Sequence, residues 1–232
     1  DAIFKGIYGK NPYKSPTDMG VNMAGFCIYD DEVCCEARKQ EIIPRYYTTL
    51  NNLVQGNASE SEVSKIELLM KQANITTDDR RVTVAAKERA AKSKVPSAAI
   101  ELADGTIITS ETSDLLGTSA ALLLNANKYL AGIDHKLKLI PKEMIEPIQK
   151  MKVTYLAGKN PRLHTDEVLV ALAMLSKDDK NCRRAIEQFP NLKGCQVHTT
   201  VMLSEVDRKI FKKLGIDLTC EPISKKQKPL IG

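Results

Sequence analysis

The chain has 232 residues, enough for one large domain or two small ones with a sizeable core. Hydrophobic residues make up 43% and charged residues 27%, which excludes a disordered chain. The net charge of +5 is spread over interleaved basic and acidic residues, tryptophan is absent and aromatics reach only 5%. The concentrated basic face with stacking rings that a nucleic-acid binder needs is therefore missing.

The opening residues 10–22 read as a polar loop punctuated by Pro12, Pro16 and Gly20, followed by an apolar run of strand length at 23–29. Asp30 and Asp31 suit a helix start, whose apolar face continues through Ile43, Tyr46, Tyr47, Leu50 and Leu53. Pro44 inside that pattern predicts a kink or a split into two helices. Ser59 caps a second helix with Val63, Ile66, Leu69, Met70 and Ala73 at helical spacing, and 78–92 gives a third, more polar one. Residues 31–92 are thus expected to form a helical subdomain or arm.

The period then changes. Residues 98–102, the turn Asp104-Gly105 and residues 106–109 predict a β-hairpin. Ser113 is placed to cap a helix over 114–131, apolar nearly all round and so expected at the centre of the core. Residues 115–130 are the longest apolar stretch, but Asn125, Asn127 and Lys128 interrupt it and it is too short to span a bilayer. Pro141 fits the first turn of a helix carrying Met144, Ile145, Ile148, Met151 and Tyr155, with Pro147 inside it as a bend. Thr165 caps a helix through Val168, Leu169, Leu172 and Leu175, and a short one follows with Cys182, Ala185, Ile186 and Phe189.

The last third carries the clearest topology signal. Residues 195–203 read as a strand, Ser204 and Asp207 as a capping pair, 205–214 as a helix ended by Gly215, and 216–220 as a second strand. Strand, short helix, strand predicts a parallel pair with a right-handed crossover. The fold class expected is α/β: a layered mixed sheet with a C-terminal strand-helix-strand unit and an additional helical region. No internal repeat is visible, and Lys225, Lys226 and Lys228 read as a solvated tail.

Six cysteines, Cys27, Cys34, Cys35, Cys182, Cys195 and Cys220, are too sparse for a secreted disulfide scaffold and read as buried apolar positions, which points to the cytoplasm. No secretory signal opens the chain, and a start at Asp1 suggests a fragment or a processed product. A zinc set of Cys182, Cys195, His198 and Cys220 fails on spacing. Cys195 and His198, three apart on a strand, point to opposite faces. Phosphate-loop, dinucleotide, zinc-protease and serine-hydrolase signatures are all absent.

Three segments remain as candidate sites, each beside a purely structural reading. The loop at 13–22 offers Lys14, Asp18 and Asn22 for an anionic substrate or proton transfer, or forms a turn held by Asx and proline geometry. Lys159, Arg162 and His164 precede a helix N-terminus, where an anion is favoured, or simply cap it and pair on the surface. His198, Thr200 and Ser204 fall toward the carboxyl end of a parallel strand, where ligands gather, although a lone histidine also suits a core edge.

Taken together, Tyr13-Lys14-Ser15-Pro16-Thr17-Asp18-Met19-Gly20-Val21-Asn22, the stretch Leu115-Leu116-Gly117-Thr118-Ser119-Ala120-Ala121-Leu122-Leu123-Leu124-Asn125, Asn160-Pro161-Arg162-Leu163-His164-Thr165-Asp166-Glu167 and Lys213-Leu214-Gly215-Ile216-Asp217-Leu218-Thr219-Cys220-Glu221-Pro222 resemble a large bacterial family. It is the one known as domain of unknown function eighteen-forty-six. The resemblance runs along most of the chain and implies the C-terminal part of a longer cytosolic protein, partnered by its own N-terminal half. Some members carry the label of an ATP-dependent peptidase, but this segment shows neither a phosphate loop nor a protease constellation. The family supplies no catalytic residues to carry over, and the cofactor is unknown.

The functional expectation is part of a metabolic enzyme that binds a small anionic metabolite, a phosphate or a carboxylate. Lys14, Asn22, Lys159, Arg162, Thr200 and Ser204 would bind, and Asp18, His164 or His198 would move protons. No metal, nucleic acid or membrane partner is expected, and a homo-oligomer is. The alternative is an assembly module in which 31–92 makes subunit contacts.

Overall fold

The computed structural model describes residues 31–222. The loop at 13–22 and the strand expected at 23–29 lie outside the described residues. The chain divides into two compact units, 1–80 and 81–232.

In the first unit, α1 (Asp31–Val54) and α2 (Glu60–Ala73) pack together, followed by a 3-10 turn at Thr77–Asp79. α1 runs through Pro44 as one helix, so the expected split does not occur. A proline removes a single rung of the ladder, and tertiary burial holds the rest. Ile42, Ile43 and Tyr47 close on Ile66, Met70 and Ile75. α2 begins as a capping box, with the Ser59 amide donating to Glu62 Oε2 at 2.7 Å.

The second unit is built on a four-stranded mixed sheet in the order β2-β1-β3-β4. β1 (Ser97–Glu101) and β2 (Ile107–Glu111) form the expected hairpin. Its turn uses Gly105 at φ +79°, a conformation that only glycine adopts freely. β1 also pairs antiparallel with β3 (Gln196–Thr199), and β3 pairs parallel with β4 (Asp217–Cys220). α3 (Arg81–Ser93) covers one face, Val82 and Ala86 meeting Ala99. Successive side chains alternate across a strand, so Ala98, Ile100 and Val197 face the other way. There they meet Leu122, Leu123 and Ala126 of α4 (Thr118–Leu130) and Phe211 of α8 (Glu205–Lys213).

α4 is the central helix, as its all-round apolarity predicts. Its far side, Ala120 and Leu124, with Ala131 just past its end, packs on a helical layer. That layer comprises α5 (Lys142–Lys150), α6 (Thr165–Leu175) and α7 (Lys180–Ile186). Pro147 sits inside α5, and the helix passes directly into a π-helical turn at Met151–Tyr155. No described helix is long and apolar enough to cross a membrane.

Two boundaries differ from the sequence reading. β3 stops at Thr199 because Thr200 folds its hydroxyl onto Ser97, accepting from the amide at 3.0 Å and donating to the carbonyl at 3.2 Å. α4 starts at Thr118, not at 114. Ser113 Oγ instead accepts from the amides of Leu115 and Leu116, forming a turn.

Candidate functional site

That turn leads into a short parallel bridge between Leu116 and Leu163. The Leu163 amide donates to Leu115 O at 2.9 Å, and the Gly117 amide donates to Leu163 O at 3.1 Å. The bridge sets the first turn of α4 beside the residues that open α6. α6 begins with His164 at its N-cap, and the His164 amide donates to Glu167 Oε2 at 2.7 Å. Lys152 Nζ binds the same carboxylate at 2.7 Å and Arg162 O at 2.7 Å, fixing the loop before the helix.

Asp207, in the first turn of α8, is fully buried and joins α8 to α6. Its Oδ1 accepts from the Thr165 amide at 3.0 Å and the Thr165 hydroxyl at 2.5 Å. Its Oδ2 accepts from Ser204 Oγ at 2.7 Å and lies 3.5 Å from His164 Nδ1. Burial alone would raise this carboxyl's pKa, but His164, Thr165 and Ser204 outweigh it and hold Asp207 well below the usual carboxylate range. The His164 side chain is 31% exposed, and its Nε2 is 3.4 Å from Asn160 Nδ2. With Asn160 Nδ2 facing Nε2 and the Asp207 carboxylate facing Nδ1, the neutral ring is expected to carry its proton on Nδ1.

The other expected site residues are distributed as follows. Lys14, Asp18 and Asn22 lie outside the described residues. Arg162 donates from Nε to Ser113 O at 2.6 Å, with Asp114 Oδ1 3.9 Å from Nη2, so its guanidinium braces the turn before α4. Lys159 is exposed, with no ion pair among the described residues. Ser204 caps α8, accepting from the Asp207 amide at 3.2 Å, and Thr200 is committed to Ser97.

His198 is fully buried and shares the register of Ala99 and Thr219, on the α3 face of the sheet. Its Nδ1 is 2.9 Å from Thr219 Oγ1. Its Nε2 is 3.4 Å from Glu221 Oε1, an ion-pair distance without good hydrogen-bond alignment, and Lys87 Nζ lies 3.1 Å from the same oxygen. α8, which carries Asp207, packs on the opposite face. The structure therefore brings His164 and Ser204 together through Asp207 and keeps His198 apart from them.

Asp207 was legible only as the capping partner of Ser204, and Asn160 only as part of a suggestive stretch. Lys87 and Glu221 carried no signal, because their pairing joins α3 to the end of β4. Among the described residues no group of three His, Cys, Asp or Glu side chains could hold a metal ion. Among the described residues no disulfide is formed by Cys34, Cys35, Cys182, Cys195 or Cys220, all buried except Cys35. Burial pushes the Cys182 thiol up to about 11, so it is unreactive at neutral pH.

The helical lobe and the α5–α6 layer differ in exposed apolar surface. Val33, Val54 and Leu68 are its large exposed apolar side chains within 31–80. On the α5–α6 layer, Met144, Met151, Tyr155, Val170 and Met174 are all exposed, with Tyr155 at 74% and Met174 at 66%. Met144 and Met174 line one groove.

Comparison with known families accounts for nearly the whole chain. The family model "Domain of unknown function DUF1846, C-terminal" matches residues 78–229, and its N-terminal counterpart matches 1–74. The chain belongs to the DUF1846 family. It is not confined to the C-terminal domain, as the sequence motifs suggested, because the N-terminal model matches as well. The boundary between the two models lies within a few residues of the boundary between the two compact units. A UPF0371 protein of Corynebacterium urealyticum, cu0538, is 50% identical over 220 residues, which cover 95% of this chain and 44% of that protein. A UPF0371 protein of Streptococcus sanguinis is 48% identical over 217 residues, 94% of this chain and 44% of its own length. The chain thus spans under half the length of these bacterial relatives.

Proposed function

We propose that this chain is part of a cytosolic enzyme that binds a small anionic metabolite and uses His164 to move a proton. The observation that carries the reading is the buried, ionised Asp207 held against a half-exposed histidine. A carboxylate fixed by two hydroxyls and an amide orients the ring and fixes its tautomer, the arrangement general acid–base catalysis requires. Lys159 supplies an exposed cation nearby in sequence, and Arg162 stiffens the segment between them. Thr200 and Ser204 support the scaffold in this reading and do not contact ligand.

The test follows the His164 ring by NMR while phosphate, citrate and acetate are added at constant ionic strength. A bound anion moves the His164 ring resonances, and His164→Gln abolishes binding while leaving the melting temperature nearly unchanged. A His164 resonance indifferent to every anion between about pH 5 and 8 sinks the proposal.

A second reading is favoured by the exposed apolar side chains Met144, Met151, Tyr155, Val170 and Met174, of which Met144 and Met174 share a groove. Exposed apolar side chains in this number suit an assembly contact, with the remainder of a longer protein or with a second copy. On this reading the chain self-associates in sedimentation and Tyr155→Asp with Met174→Lys makes it monomeric. A parent that stays monomeric at high concentration removes the second copy as the occupant.

A further inference from the structure

α6 carries no polar residue from Val168 to Leu175, although only part of its circumference is buried. Val168, Ala171 and Leu172 pack into the core, whereas Val170, Ala173 and Met174 are exposed. A helix with a solvated face ordinarily carries polar residues there, and one that is apolar on all sides is covered on all sides. Spacings of three and four put Val170, Ala173 and Met174 on a single outer stripe.

The two ends of that stripe are oppositely charged. Asp166 lies one turn before Val170, and Lys177 lies one turn beyond Ala173, just past the helix end. Both are exposed, and neither side chain makes an ion pair or a hydrogen bond among the described residues. Laid antiparallel on a second copy of itself, the stripe sets Asp166 opposite the partner's Lys177 at both ends. Val170 then faces the partner's Ala173, and Leu169 faces the partner's Met174. A parallel arrangement would instead oppose like charges at each end, and it would align the helix dipoles unfavourably.

We infer that the outer face of α6 is a two-fold interface on which a second copy of this chain packs, its α6 antiparallel to the first. A two-fold contact requires a patch complementary to itself, and a stripe that runs acid, apolar, base meets that requirement. The small Ala173 opposite Val170 lets the helix axes approach to about 8–10 Å. The inference rests on the second reading above, an assembly contact on the α5–α6 layer, and names its occupant and orientation. One helix face is small against the roughly 800 Å² per partner of a standard interface, so the pairing is weak and salt-sensitive.

The test is sedimentation of the full chain at concentrations up to about 300 µM, where a micromolar pairing is populated. The parent should dimerise reversibly, and less so as salt is raised. Asp166→Lys and Lys177→Glu should each raise the dissociation constant about tenfold or more, because each reversal turns two attractive pairs into two repulsive ones. Mixed in equal amounts, the two variants should pair with each other about as tightly as the parent, since both contacts between them join opposite charges. A parent that stays monomeric overturns the inference and leaves the remainder of a longer protein as the occupant in the assembly reading. A dimer that Tyr155→Asp with Met174→Lys abolishes but neither charge reversal weakens overturns this pairing and keeps that reading. Lys177 lies in an exposed turn beyond the helix, so Lys177→Glu does not threaten the fold, and an undiminished dimer in that variant alone is enough to overturn the inference.

Discussion

At the scale of single residues, two carboxylates hold the second unit together through partners far away in sequence. Asp207 ties α8 to the start of α6, and Glu221 ties the end of β4 to His198 and to Lys87 of α3. For each, burial works against the charged form. In Asp207 the donors outweigh it, and in Glu221 contact with His198 and Lys87 brings the carboxyl down to about 2. Both folded-state values lie below the unfolded reference of about 4. Their contribution to stability is therefore complete above that reference and is lost as pH falls through the folded values. The melting temperature should stay nearly flat from about pH 7 to 5 and fall steeply below about 4.5. Glu221→Gln should melt lower than the parent at neutral pH and lose less on acidification. A variant whose slope between about pH 4.5 and 2 equals the parent's would show that Glu221 is not the group responsible.

At the scale of elements, what the sequence revealed was local and what it concealed was pairing. The hairpin turn at Asp104-Gly105 and the Ser59 and Ser204 caps depend on residues within a few positions of one another, and stand where the pattern puts them; α4 is central as its all-round apolarity predicts. The start of α4 was misplaced because a serine before an apolar run signals a cap, whereas Ser113 closes a turn that pairs with Leu163. No periodicity encodes a partner nearly fifty residues away. β3 was overextended for the same reason, since Thr200 looks like a strand residue until Ser97 claims its hydroxyl. The candidate site follows this division. His164 stands out as a histidine before a helix, but its value depends on Asp207, which lies on a different helix far away in sequence.

At the scale of the whole molecule, the described hydrophobic clusters respect the division at Arg80 and Arg81. The cluster of Ile42, Ile43, Tyr47, Ile66, Met70 and Ile75 belongs to the first unit. The two larger ones, with thirteen and eleven buried members, share α4 and lie wholly in the second. α3 is bound to the sheet by Val82 and Ala86 and by ion pairs from Arg81 to Glu101, Arg89 to Glu111 and Lys87 to Glu221. The second unit has a core on both sides of its central helix and a cover on the other face of its sheet, the layered burial from which an independent domain is built. Residues 81–232 expressed alone should therefore give a well-dispersed amide spectrum and one cooperative thermal transition. The His164 ring resonances in that fragment should match those of the full chain, because every partner it has among the described residues is present. A broad, non-cooperative melt would mean that residues 1–80 complete the second core, and the helical lobe would then be a structural necessity for the candidate site.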